Sequence, residues 1–421
     1  MRLLRIPFVS LRAAALLLAL GAMLALGSCS SSKNPLGPNT LPQLSALSFA
    51  LASDTLAVGG SVALAVTATD TAGAAVSPSR LAWVSSNTLV ARVGSTGTVV
   101  AQGEGHAWIF ASGANRTDSA LIVVHTQAGW YAQTSNTLNN LNAIHASADG
   151  RSVWAVGDAG TIVATSDAGV TWATQVSNTA FKLNSVYFTS PTSGWAVGNN
   201  GTVLATANGG AGWTRLSNVG ASENLQAVRF VDATHGWAVG SSGAIVRTRN
   251  GGASWSKVNP TSSTLNSVAF SDTLNGWAVG DNGVICGTHD GGASWYVWQP
   301  AVTSQALHGV WRESNTRAWA VGAQGVAPSA SATVDSLTWT LSNTGASNQL
   351  WGVHFPAALT GYAVGQNGGG LVLRSDDGGA SWTPQTANSA QRLTAVWFVD
   401  TQRGWAVGDG GRIVHTSLGG N

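Results

Sequence analysis

The sequence predicts an all-β protein: a small β-sandwich over residues 42–125, then a seven-bladed β-propeller over 126–421 closed by strands from its two ends. Three observations predict it. A phrase WAVG, or a near variant, recurs with its aromatic at Trp154, Trp195, Trp237, Trp277, Trp319, Tyr362 and Trp405, at intervals of 41, 42, 40, 42, 43 and 43 residues. A period in the low forties with strand-like content is one four-stranded blade per repeat. Ahead of the repeats, SVALAVTATD, HAWIFASG and SALIVV alternate apolar and polar residues, interrupted by turn residues, which is the pattern of a sandwich of short strands. The composition agrees: 44% hydrophobic, 9% charged and 52 glycines describe a turn-rich β protein rather than a disordered one.

The N-terminus carries Arg2, Arg5 and Arg12 ahead of an apolar run from Ala13 to Leu26. The run is shorter than the roughly 20 residues of a membrane-spanning helix and has the form of a secretion signal. It ends in LGSC, Leu26 to Cys29, which resembles the lipobox of bacterial lipoproteins. The resemblance implies a signal peptide over 1–28, cleavage before Cys29 and lipid on its sulfur, which would hold the protein on a membrane. Residues 29–41 are then a Ser/Pro/Gly tether. Ser30, not an aspartate, follows the cysteine; by analogy with Gram-negative lipoproteins this implies an exported protein at the outer membrane or cell surface. The second cysteine, Cys286, sits in the apolar run GVICGT and reads as a small buried hydrophobe.

Over 42–125 the order Trp83-Val84-Ser85-Ser86, Val90-Ala91-Arg92-Val93, Gly97-Thr98-Val99 and Gly105-His106-Ala107 resembles the bacterial immunoglobulin-like group 2 domain. The resemblance implies an immunoglobulin-like spacer or adhesive module.

Each repeat of 126–421 has four parts. An apolar strand such as LNSVYF is followed by GWAVG, then a turn such as DAG, SSG or DNG whose residues take the positive φ of a tight hairpin, then TIVAT or its kin, then a loop and a last strand opening on tryptophan. The loop, SDAGVTW through DDGGASW, resembles the Asp-box. Its acid position holds Asp167, Asn208, Asn250, Asp290 and Asp377, read as structural: a short carbonyl or carboxylate there accepts backbone N–H groups and pins the turn. The repeat ending at Trp339 has lost the pattern, and a longer, less regular turn is expected there. The last repeat stops at GGRIVHTSLGGN, while an orphan, HTQAGWYAQTS, precedes the first, with Trp130 lying 42 residues before Trp172. The N-terminal strand is expected to complete the last blade, leaving no free edge. The repeat set is similar to the propeller family of photosystem II stability/assembly factors.

Net charge is +2 with three lysines, which gives no electrostatic case for nucleic acid. No HExxH, GxSxG or phosphate-loop motif occurs, and no metal or cofactor is expected. Asp-box propellers include glycosidases, which need two facing carboxylates; the repeats hold only two glutamates, Glu223 and Glu313, and their aspartates fall mostly at equivalent turn positions. The reading is therefore a binding protein, with a surface glycoside hydrolase and a membrane-protein assembly factor as alternatives. The candidate ligand ring is the second residue of each first strand: Asn142, Asn184, Gln226, Asn266, His308, Trp351 and Thr394. Amides, an imidazole and an indole suit a protein or carbohydrate ligand. A second ring three residues on, His145, Tyr187, Arg229, Trp311, His354 and Trp397, is the reserve candidate, expected near the other end of the channel.

Overall fold

A computed structural model of the chain describes residues 41–420 apart from 52, 104, 126–128, 218, 315, 334–335, 343 and 345–347. The leader, most of the tether and Cys29 lie outside the described residues. The chain divides into two compact units after residue 127. The protein is all-β; among the described residues its only helices are three-residue 3₁₀ turns.

The first unit holds a four-stranded sheet in the order Ser53–Ala57, Thr117–His125, Gly105–Ser112, Ala82–Ser85, a three-stranded sheet of Ser61–Ala63, Thr98–Ala101 and Ala91–Val93, and a pair of Leu44–Phe49 with Val66–Asp70. The period-two alternation turns Ala107, Ile109, Ala120 and Ile122 into a shared apolar core with Val90, Ala91 and Val99. One pairing, Ser53–Ala57 with Thr117–His125, is parallel. Parallel neighbours need a long crossover, and here the intervening strands of the unit supply it.

The second unit contains seven four-stranded sheets. Sheets I to VII begin on Leu141–Ala146, Leu183–Phe188, Leu225–Phe230, Leu265–Phe270, Leu307–Ser314, Gln349–His354 and Leu393–Phe398. Each first strand lies against that of the next sheet, and that of sheet VII lies against that of sheet I. Sheet VII takes its outer strand from the other end of the unit: Tyr131–Gln133 pairs antiparallel with Ile413–Thr416, Tyr131 opposite His415 and Gln133 opposite Ile413.

The tight turns form as their residues require. Ala159 and Gly160 take φ of 53° and 70°, Asn282 and Gly283 60° and 70°, the two successive positive values of a type I′ turn. A Cβ on Gly160 would run into the carbonyl of Thr179, so glycine is needed there for space as well as for φ.

The WAVG aromatics join neighbouring sheets. Trp154 stacks on Phe188 at 3.6 Å, Trp195 on Phe230 at 3.7 Å, Trp237 on Phe270 at 3.5 Å and Tyr362 on Phe398 at 3.6 Å. Sheet V departs from this pattern. The phenylalanine position holds Arg312, whose guanidinium lies 6.0 Å from the Trp277 ring. Its last two strands pair down to Thr333 opposite Ser336. The turn expected to be longer before Trp339 falls at residues 334–335, outside the described residues.

Candidate functional site

The first strand of each of the seven sheets carries a register shift at its second residue, or in sheet VI its third, between Leu141 and Ala143, Leu183 and Ser185, Leu225 and Ala227, and so on to Leu393 and Ala395. The seven candidate residues are thus the bulged residues of seven β-bulges. A bulge re-aims a side chain out of the alternation of its strand. The structure brings all seven together as part of the lining of one cavity of about 170 Å³. Below them lies a layer of small residues, Ala143, Ser185, Ala227, Ser267, Gly309, Gly352 and Ala395, and then Tyr187, Arg229, Trp311, His354 and Trp397 of the second ring, lining the same cavity. The second ring, apart from His145, lines the far end of the same cup. The small layer leaves the room, and three residues of strand span only about 10 Å.

The mouth divides into two kinds of position. Asn142 donates to the Leu183 carbonyl at 2.8 Å, Asn184 to Leu225 at 2.8 Å, and Asn266 to Leu307 at 3.0 Å; the Thr394 hydroxyl donates to Leu141 at 2.7 Å. Each bond staples one first strand to the next, the last across the meeting of sheets VII and I. Asn142 and Asn266 also donate to Asp158 and Asp281, at 3.1 and 2.9 Å. Burial works against the Asp158 carboxylate, but Asn142, Lys182 and Asn140 hold it below the usual carboxylate range. The other three residues make no staple among the described residues. Gln226 makes no hydrogen bond among the described residues, and His308 stacks on Trp351 at 4.2 Å. Arg392, paired with Asp409 at 2.9 Å, lies 4.9 Å from the Trp351 ring. Burial lowers the His308 imidazole, against the pull of Asp281.

The floor is aromatic. Trp397 lies 4.2 Å from His145, 4.5 Å from His354, 5.6 Å from Trp311 and 6.0 Å from Tyr187, so one indole touches four other sheets. Arg229 sits over the rings of Tyr187 and Trp311. Burial, then the Arg229 charge, pushes His145 well below the usual imidazole range and His354 down to about 3. Both are neutral at physiological pH.

No Asp or Glu lines the cup. Glu223 pairs with Lys257, and Glu313 lies 3.7 Å from Arg317. The Asp-box residues do not line it either. Asp167, Asn208, Asn250, Asp290 and Asp377 each accept the backbone N–H four residues on, at 2.9 to 3.0 Å. Each also accepts the hydroxyl two residues back. Cys286 is buried, and burial pushes its thiol up to about 12.

Sequence reasoning named both rings but missed the bulges and the staples. A register shift depends on the partner strand, and each staple bridges 41 residues or more; neither leaves a mark in a single strand. One signal was available. Where the repeat has Asn or Thr the position can staple, and Gln226, His308 and Trp351 are the departures.

A family model described as photosynthesis system II assembly factor YCF48 matches residues 63–207, 174–259 and 208–295, together more than half of the chain. No curated protein matches it in sequence. Among solved structures, the chain is similar to YCF48 bound to D1 peptide, at TM-score 0.59 and 20% identity over 70% of this chain and 96% of that one. It is similar to YCF48 from Cyanidioschyzon merolae at TM-score 0.58 and 22% identity, over 69% and 98%. An inactive virginiamycin B lyase from Staphylococcus aureus matches at TM-score 0.57 and 12% identity, over 69% and 100%. At such identities the likeness is one of fold: a β-propeller.

Proposed function

The chain belongs to the photosynthesis system II assembly factor YCF48 family, and from that premise we propose that its second unit is a seven-bladed propeller serving as a binding or assembly platform for a segment of another protein. The observation that carries this reading is the cup, where a rigid ring of sheets presents Gln226, His308 and Trp351, the mouth residues released from stapling. Variable side chains on a rigid frame are where recognition sits. Seven sheets whose first strands touch in a closed round support the blade count. The D1 peptide bound by a protein of like fold supports a peptide as the kind of ligand.

The test is selection of peptides from a random displayed library on the full chain, with a glycan array in parallel. Selected peptides are expected to lose about tenfold or more in affinity with Trp351→Ala, since loss of a buried aromatic anchor costs roughly 2 kcal/mol. Peptides that bind wild type and the Trp351→Ala/Gln226→Ala double variant equally would refute the site. Binding confined to glycans would replace the protein ligand with a carbohydrate.

The rest of the chain is read as delivery: a signal peptide over 1–28, lipid on Cys29, a tether to residue 41 and an immunoglobulin-like spacer over 42–125, which together hold the propeller at the outer membrane or cell surface. What supports this is the LGSC motif behind an apolar run. On expression in a bacterium that lipidates exported proteins, Cys29→Ala is expected to move the protein from the membrane fraction to the soluble one. Unchanged membrane association would rule out the anchor.

A further inference from the structure

The floor of the cup holds a charge with no counter-charge beside it. Arg229 lies 4.6 Å from the Tyr187 ring and 5.1 Å from the Trp311 ring, and makes no hydrogen bond or ion pair among the described residues. Its Nε is buried without a partner. Other arginines of the same unit have acids: Arg317 has Glu313, Arg374 Asp376, Arg392 Asp409 and Arg403 Asp400. Three more buried polar atoms around Arg229 are unpartnered: Trp311 Nε1, His354 Nδ1 and His145 Nδ1. Both histidines are only 4% exposed. Cation–π contact offsets part of the cost of drying a guanidinium. It does nothing for N–H groups in the guanidinium plane, and on this half-buried side chain the Nε is dried without an acceptor, which is costly.

We propose that the floor of the cup binds a single carboxylate, with Arg229 as its counter-charge, Trp311 and His354 as flanking hydrogen-bond partners, and His145 behind them beside Arg229. The chemistry selects the ligand class. One fixed guanidinium balances one negative charge, and its planar fork matches a planar two-oxygen anion. The aromatic walls favour a flat group. The cavity of about 170 Å³ is far above the ~10–15 Å³ that one water needs. The same chemistry comes from a free monocarboxylate or from the chain end of a peptide. The second source rests on the cup being a protein-binding site, and the first does not.

Binding is coupled to protons. The groups facing His145 and His354 are Arg229, Tyr187, Trp311, Trp397 and each other, with no carboxylate among them. A bound anion supplies the missing negative charge, raises both imidazoles and lets them protonate. Affinity therefore rises as pH falls below neutrality, by up to about tenfold per pH unit for each histidine that gains a proton.

The test is calorimetric titration of the full-length chain with sodium formate at pH 7 and pH 5, each in two buffers of different ionisation enthalpy. Formate is expected to bind more tightly at pH 5 with net proton uptake, and Arg229→Gln to weaken it at least about tenfold. Unliganded Arg229→Gln should melt no lower than wild type, because an unpaired charge has been removed. His354→Gln should keep formate binding and lose part of the proton uptake. A library-selected peptide, compared as free acid and as C-terminal amide, distinguishes the sources: preference for the acid, lost in Arg229→Gln, assigns the chain end. The site is overturned if neither formate nor any free-acid peptide binds wild type, a result that needs no variant, or if those that bind do so equally to folded Arg229→Gln. Peptides that bind equally as acid and amide, untouched by Arg229→Gln, overturn the carboxylate site and leave the protein-binding cup. Formate binding without peptide binding does the reverse.

Discussion

Gln175 shows how a single side chain settles a sheet-to-sheet joint. Its Oε1 accepts the buried Trp213 indole N–H at 3.0 Å while its Nε2 donates to the Gly209 carbonyl at 3.0 Å. Gln385 and Gln133 accept from Trp130 and Trp172 in the same way, at 3.0 and 3.1 Å. In the next two repeats the glutamine position holds Leu216 and Val258, and the half-buried indoles they pack with, Trp255 and Trp295, have their N–H groups buried without an acceptor. Gln175→Leu should therefore cost about 1–3 kcal/mol, the penalty for stranding a buried donor, read as a lowered midpoint in urea. The Asp-box carboxylate Asp377 responds to pH instead. Hydrogen bonds from the Ser381 hydroxyl and amide, helped by Ser375 against weak desolvation, hold Asp377 down to about 2, below the roughly 3.9 of an unfolded chain. A depressed carboxylate stabilises the fold above its unfolded pKa and loses that contribution as pH falls through the folded one. Asp377→Asn should match wild type near neutrality, since Asn208 and Asn250 fill the same role. It should lose less stability than wild type between pH 4 and 2. Parallel acid titrations of the two proteins would show an equal loss if the turn did not depend on the charge.

At the scale of the element, the first strand performs two tasks with one residue. The bulge directs its second side chain at the axis, and the sequence then decides whether that side chain staples or is left for a ligand. Asn184→Ala removes a bond to Leu225 and one to Asn199 and should cost about 1–2 kcal/mol. Gln226→Ala removes neither and should leave the melting temperature unchanged within error. Thermal melts of the two variants decide it, and equal losses would mean the mouth residues are alike. This division explains what was legible in the sequence. WAVG, the tight turns and the Asp-box repeat locally, so their strands could be placed from spacing alone, and so could Trp130 beside the last repeat. The roles within the mouth could not, because Asn142 and Gln226 differ only in what they reach on another sheet. The Arg229 cage was hidden for the same reason: Tyr187, Trp311 and Trp397 belong to sheets II, V and VII and meet only across the axis.

The whole second unit depends on a latch of three residues. Tyr131–Gln133 pairs with Ile413–Thr416 across more than 280 residues of chain, so the ordering cost of that closure falls on one short strand and what anchors it. The anchor is Trp130. It is fully buried, lies edge-on to Phe398 at 5.6 Å and Tyr362 at 6.5 Å, and donates to Gln385. Trp172 occupies the same place in sheet I and is also buried, but its strand is joined to Ile162–Thr165 by a short loop and cannot leave. Trp130→Ala and Trp172→Ala should each cost about 3–5 kcal/mol for the cavity they open. Only the first should also free an edge of sheet VII. Amide exchange separates the two effects: in Trp130→Ala the amides of Ile413–Thr416 should exchange by local opening, well before global unfolding, while those of Ile162–Thr165 in Trp172→Ala stay protected to the global limit. Equal protection in the two variants would mean the ring is held by its sheet-to-sheet packing alone, with the terminal strand an addition rather than a clasp.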